Sequence, residues 1–319
     1  MKMKFLILVI LMVSCEVHDL SEIGALVPPT VDQDRNLPQL DIEVSGRKRK
    51  IHLQTFGEPA NPPIFVLHGG PGADFRLLLP LKALADKYYV IMWDSRGAGL
   101  SERVTKSELS IDSFNEEILQ IKSKLCPDRK IILIGHSFGG NVLTRFTAAH
   151  PEQVERLILI DPGKLDTSLG PDSNGGAVNF LDGQDFFWQN EILTSSDHEA
   201  ADYKAIDLLP KSARNWTCDG SIVYDYPFWR FGTYHYYIVQ KNTRKLPKNF
   251  NWATGIESYD GPIDIITGSC GALGETFQCK TNLITLPSAG IYPIQGAGHL
   301  SLFTEFSDQT ITVVKSLFI

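Results

Sequence analysis

Residues Ile131–Gly140 read IILIGHSFGG, and this stretch decides the fold. Ile131-Ile132-Leu133-Ile134 is a run of β-prone aliphatics of the kind that forms a strand buried on both faces. Gly135-His136-Ser137-Phe138-Gly139 follows, and the apolar spacing of Asn141–Phe146 suits a helix. A G-x-S-x-G between strand and helix is a nucleophile elbow. The glycines two before and two after Ser137 let strand and helix approach closely, and the strained turn lifts the hydroxyl over the sheet edge. The helix N-terminus behind it offers partial positive charge to a developing oxyanion.

Around this elbow the chain of 319 residues has ordinary globular composition, with 43% hydrophobic and 21% charged residues. A net charge of -7 with no long basic block argues against a nucleic-acid partner. The basic run Arg47-Lys48-Arg49-Lys50 lies between strand-like segments and reads as a solvated hairpin. At the N-terminus, Lys2 and Lys4 precede the apolar run Phe5–Val13, which is too short to span a bilayer. Leu11-Met12-Val13-Ser14-Cys15 resembles a bacterial lipobox. This predicts a signal peptide over 1–15, lipidation at Cys15, an exported protein anchored to a membrane, and a polar tether over 16–37. Cys126, Cys218, Cys270 and Cys279 remain, and Cys270 with Cys279 is the expected disulfide because the two flank one short loop. The cysteine and histidine spacings of metal sites are absent, so no metal or other cofactor is expected.

Outward from the elbow, Leu40–Val44 and Ile51–Thr55 read as a hairpin. Ile64–Leu67, Tyr88–Met92, Leu157–Ile160 and Pro262–Gly268 read as buried strands, and Asn282–Pro293 contains another. Helical patterns fall at Arg76–Ala85, Ser113–Lys124, Asn141–His150 and Phe306–Phe318. This alternation predicts an α/β fold with a mostly parallel, doubly wound sheet. The core is assigned to 38–163 and 261–319. Residues 164–260 lose the alternation and gain aromatics, including Phe186-Phe187-Trp188, Tyr224, Tyr226, Phe228-Trp229 and Tyr234–Tyr237. They read as an inserted helical cap over the strand ends.

Three segments agree with the elbow. His68-Gly69-Gly70-Pro71-Gly72 follows a strand, and its backbone N–H groups can point at a substrate carbonyl, with the N–H of Phe138 as partner donor. Trp93–Ser101, WDSRGAGLS, reads as a structural loop near the site. Gly296-Ala297-Gly298-His299 sets a histidine on a small-residue loop near the C-terminus, placed to act as general base. His68 and His136 sit inside turn motifs and read as structural. His150 ends a helix, and His18, His52, His198 and His235 lack a supporting context.

HGGPG, WDSRGAGLS, GHSFGG and GAGH, in this order and spacing, resemble the proline iminopeptidase branch of the α/β-hydrolase fold over Leu40–Gly163 and Gly261–Ile319. The resemblance implies Ser137 as nucleophile, His299 as base, and an oxyanion hole around Gly69, Gly70 and Phe138. The family's usual acid position falls on Gly271. The acid is therefore Asp161, at the end of the Leu157–Ile160 strand, or Glu275, on the loop after the usual strand, or it is missing. Asp264 lies within a strand and points away. The implied activity is a serine aminopeptidase of proline iminopeptidase type on short peptides, with Glu191, Glu199, Asp202 and Asp207 available in the cap for the substrate amine. The alternatives are an esterase or amidase on small acyl substrates and a membrane-anchored binding protein on an impaired hydrolase scaffold. Epoxide hydrolases and dehalogenases carry aspartate at the elbow, which Ser137 disfavours.

Overall fold

The aliphatic runs assemble into one sheet. The computed structural model describes residues 26–169, 194–212, 216–221 and 228–318. Its strands are β1 (Gln39–Val44), β2 (Arg47–Phe56), β3 (Pro63–Leu67), β4 (Tyr89–Trp93), β5 (Ile131–His136), β6 (Val154–Ile160), β7 (Ile263–Gly268) and β8 (Gly290–Ile294). They lie in the order β1-β2-β4-β3-β5-β6-β7-β8. β1 and β2 form the antiparallel hairpin, turning at Ser45 and Gly46, both at positive φ as a tight two-residue hairpin turn requires. From β4 onward every pairing is parallel. The mostly parallel sheet expected from the alternation is present, in the topology that the resemblance implies.

The helices are α1 (Ser113–Leu125), α2 (Phe138–Ala149), α3 (Ser195–Ser212), α4 (Thr233–Arg244), α5 (Glu275–Lys280), α6 (Asn282–Thr285) and α7 (Ser307–Ser316). Side chains alternate between the two sheet faces, so each aliphatic strand feeds two cores. Ile131 and Leu133 join the cluster holding Phe114 and Ile118 of α1 and Val142 and Phe146 of α2. Ile132 and Ile134 join the cluster holding Phe75, Leu78 and Val314 of α7. Both faces are covered, as a parallel sheet requires. The segment expected as a helix over Arg76–Ala85 is a 3-10 helix, Phe75–Leu84, with Pro80 inside it. Proline has no N–H to donate to a regular α-helical ladder.

Two expectations are corrected. The tether over 16–37 is bound to the body from Leu26 onward. Val27, Thr30 and Val31 are buried. The Leu26 N–H donates to Glu199 Oε1 at 2.8 Å, Arg230 Nη1 donates to the Pro28 carbonyl at 2.9 Å, and the Val31 N–H donates to the Leu100 carbonyl at 2.9 Å. Two valines four apart have apolar surface to bury, and the body accepts it. Cys15 lies outside the described residues. Next, Cys270 is bonded to Cys218, with Cα atoms 5.2 Å apart, rather than to Cys279. Cys279 sits exposed on α5, whereas residues 216–218 lie against the loop after β8, which brings Cys218 to Cys270. Arg47–Lys50 lies in the β1–β2 hairpin as expected, with Arg47 and Lys48 exposed and Arg49 paired with Glu102 at 2.8 Å and Glu108 at 2.7 Å.

Candidate active site

Parallel pairing places the carboxyl ends of β5, β6 and β7 side by side, where ligands bind in open α/β sheets. Ser137 follows β5 directly. It holds φ 54° and ψ -125°, an unusual conformation for a non-glycine residue. The surrounding glycines make this turn possible. A Cβ on Gly139 would lie 2.5 Å from the Leu67 carbonyl oxygen, and one on Gly135 would lie 2.8 Å from Gly140 Cα. The Ser137 N–H donates to the Ile160 carbonyl at 3.0 Å, tying the elbow to β6.

Gly69 lies against the serine. A Cβ there would stand 2.6 Å from Ser137 Cβ and 3.2 Å from Ser137 Oγ, so only glycine lets this backbone approach the hydroxyl. Gly70 has φ 115°, a conformation open to glycine. Phe138 is the first residue of α2, so its N–H has no intrahelical acceptor and faces the start of the helix. His68 anchors this turn to the next loop. Its Nδ1–H donates to the Gly69 carbonyl at 2.8 Å, and Nε2 accepts the Ser95 N–H at 3.1 Å. Burial lowers its pKa, which keeps the ring neutral and able to accept. Asp94 holds the same loops together by accepting from His52 Nδ1 at 2.8 Å and from the Phe75 and Leu100 N–H groups, each at 2.9 Å.

Of the candidate acids, Asp161 is the one in contact with His299. Asp161 follows β6 at φ 43° and is fully buried. Its Oδ1 accepts from Thr267 Oγ1 at 2.6 Å and from the Gly268 N–H at 3.1 Å, both at the end of β7. Its Oδ2 lies 3.2 Å from His299 Nδ1. A carboxylate can only accept there, so Nδ1 carries the proton and Nε2 is left free as a base. Glu275 starts α5, and Gly271 takes a left-handed φ of 85°. Asp264 is paired with Arg156.

His299 is buried and enclosed by aromatic rings. His136 stacks on it with centroids 4.4 Å apart at 28°. His136 Nε2 donates to the His299 carbonyl at 3.3 Å. Burial and the neighbouring His299 hold the His136 pKa well below the usual histidine value, so it stays neutral. Trp216 meets His299 edge to face at 5.5 Å, and its carbonyl accepts the His299 N–H at 2.9 Å. The sequence offers no local signal for these neighbours, nor for Thr267, beyond its place before the glycine that ends β7.

Among the acids of residues 164–260, Glu199 takes the Leu26 N–H and Asp202 takes Arg103 Nη2 at 2.7 Å and Arg230 Nε at 2.8 Å. Phe186, Phe187, Trp188, Glu191, Tyr224, Tyr226 and the side chain of Asp207 lie outside the described residues. Among the described residues no cluster of histidine, cysteine and acidic side chains is suited to a metal.

A family model for the alpha/beta hydrolase fold matches residues 62–216. A proline iminopeptidase from Heyndrickxia coagulans is 37% identical over 38% of this chain and 42% of its own length. Epoxide hydrolase 1 of Caenorhabditis elegans is 25% identical over 79% of this chain and 64% of its own length. The matched stretches thus cover less than two thirds of both relatives. Among solved structures, a proline iminopeptidase-related protein from Thermus thermophilus superposes with a TM-score of 0.61 at 18% identity, covering 88% of this chain and 96% of the other. An esterase from Thermogutta terrifontis superposes with a TM-score of 0.62 at 17% identity, covering 88% and 97%. With sheet order, elbow and family model in agreement, the chain has the α/β-hydrolase fold, and over part of its length it is similar to proline iminopeptidases.

Proposed function

We propose that this protein is a serine hydrolase working through an acyl-enzyme. The observation that carries the reading is the buried Asp161–His299 contact of 3.2 Å at the strand ends that also present Ser137 at positive φ. Ser137 Oγ attacks the carbonyl carbon, and its proton passes to His299 Nε2. Asp161 holds the Nδ1–H tautomer and stabilises the imidazolium. The negative oxygen faces the backbone donors of Gly69, Gly70 and Phe138. His299 then protonates the leaving group, and water attacks the ester on Ser137 with the same base assisting. Removal of one such donor lowers turnover on the order of 10²-fold or more.

Within that chemistry the substrate is a short peptide cleaved at its N-terminal residue. The similarity of the HGGPG, WDSRGAGLS and GAGH segments to proline iminopeptidases supports this. The engagement of Glu199 and Asp202 by Leu26, Arg103 and Arg230 favours a second reading, hydrolysis of small acyl esters or amides, which needs no amine-binding acid. The proposal extends to export and lipidation at Cys15, supported by Leu11–Cys15 and read by detergent-phase partition of wild type against Cys15→Ser. A fluorophosphonate probe is expected to label Ser137 in the wild type and leave Ser137→Ala unlabelled, and an unlabelled, folded wild type overturns the enzyme reading. Turnover of a prolyl-arylamide against p-nitrophenyl acetate then separates the two substrate classes.

A further inference from the structure

The disulfide that the spacing of the cysteines did not suggest lies next to the base. Cys218 and Cys270 are bonded across 52 positions of sequence. From Cys270 the links run on to His299 and back. The Cys270 N–H donates to the Ala297 carbonyl at 3.3 Å, and Ala297 leads through Gly298 to His299. The His299 N–H donates to the Trp216 carbonyl at 2.9 Å, and Trp216 leads through Thr217 to Cys218. Two backbone hydrogen bonds and one S–S bond close this circuit. Gly298 permits it, because a Cβ there would lie 2.5 Å from the Trp216 oxygen. The circuit delivers the Trp216 ring to the edge-to-face contact with His299 at 5.5 Å, beside the stacked contact that His136 makes with the same ring.

We infer that the Cys218–Cys270 bond is a clamp that holds Trp216 against His299, making Trp216 a positioning residue for the base and the activity sensitive to thiols. The inference rests on the serine-hydrolase reading above. A free imidazole on a small-residue loop samples several orientations, and only one presents Nε2 to Ser137. Asp161 fixes one ring nitrogen. The flanking rings and the main-chain bond to Trp216 restrict the rest. Cys218 is exposed, so a small dithiol reaches the bond. Two thiols of the reagent supply two electrons and two protons. The S–S bond breaks, Cys218 and Cys270 become thiols, and the reagent closes its own disulfide. Residues 216–218 then lose their covalent tie to the loop after β7.

The test uses the full chain, oxidised or treated with dithiothreitol, with p-nitrophenyl acetate turnover, fluorophosphonate labelling of Ser137, and proton NMR of the imidazoles. Reduction is expected to lower kcat roughly tenfold or more with KM little changed, since misplacement of a catalytic group acts on the chemical step. Cys218→Ser and Cys270→Ser show the lowered kcat without reductant and no further response. Cys279→Ser responds like the wild type. Trp216→Leu matches the reduced protein, and Trp216→Phe recovers much of the loss. The His299 ring-proton resonances, identified by their absence in His299→Asn, move on reduction as the ring current of Trp216 departs. A reduced protein with its thiols counted, unchanged in kcat and in the His299 resonances, overturns the clamp. A wild type that Ser137 probes fail to label overturns the hydrolase reading instead, and the resonances alone then decide the clamp.

Discussion

Asp161 holds a backbone conformation that costs a non-glycine residue about 1–3 kcal/mol, at φ 43°, and its surroundings fix it there. Its N–H donates to the Ile266 carbonyl at 2.9 Å. Its Oδ1 is taken by Thr267 and Gly268, which leaves Oδ2 for His299. One oxygen thus anchors the carboxylate to β7 while the other orients the imidazole. An amide at this position keeps the shape but can present N–H groups where the histidine needs an acceptor, which favours the wrong tautomer. Asp161→Asn is therefore expected to lower kcat roughly 10²–10⁴-fold. Glu275→Gln, at the start of α5, is expected to leave it unchanged. Steady-state turnover of p-nitrophenyl acetate, with sites counted by fluorophosphonate titration, checks both. A small effect at Asp161 with a large one at Glu275 reverses the assignment.

The strand–elbow–helix unit was legible in the sequence because each of its parts is local. Four aliphatics define β5, the glycines define the turn, and the spacing after Gly140 defines α2. The hairpin, the buried strands and α7 are legible for the same reason. The contact between Asp161 and His299 was not, because it depends on the β6–β7 register that sets Ile160 opposite Ile266. Nothing near Asp161 in sequence records that Thr267 lies beside it. The Cys218–Cys270 bond and the docking of Val27 and Val31 were hidden likewise, since they depend on contacts between distant segments. The elbow also yields a prediction at its own scale. Gly139 packs the first turn of α2 onto the end of β3, and a methyl there would lie 2.5 Å from the Leu67 carbonyl oxygen. Backbone cannot rotate away as a flexible side chain can. Gly139→Ala is expected to lower stability by about 1–3 kcal/mol or more. Urea midpoints of variant and wild type measure this, and an unchanged midpoint would mean the strand and helix can move apart freely.

Across the whole molecule, Asp202 ties together parts that are far apart in sequence. From α3 it accepts from Arg103 of the loop after β4, from Arg230, and from the Thr233 N–H at the start of α4. Arg230 in turn donates to Pro28 of the N-terminal segment. Burial alone would raise the Asp202 carboxyl, but the Arg103 and Arg230 guanidiniums outweigh it and hold the pKa below the ordinary 3.8. A carboxyl whose folded pKa is depressed contributes its full stabilisation above the unfolded value, and loses it as pH falls through the folded one. Removing the charge at neutral pH leaves two guanidiniums in the interior with no counter-charge from this side chain. Asp202→Asn is therefore expected to cost about 3–5 kcal/mol near neutral pH. The gap to wild type should close as pH falls below 3.8, because the protonated acid and the amide are then both neutral. Urea unfolding of both proteins, followed from neutral pH down through that range, measures the gap directly. A gap independent of pH would assign the loss to altered hydrogen bonding rather than to the charge.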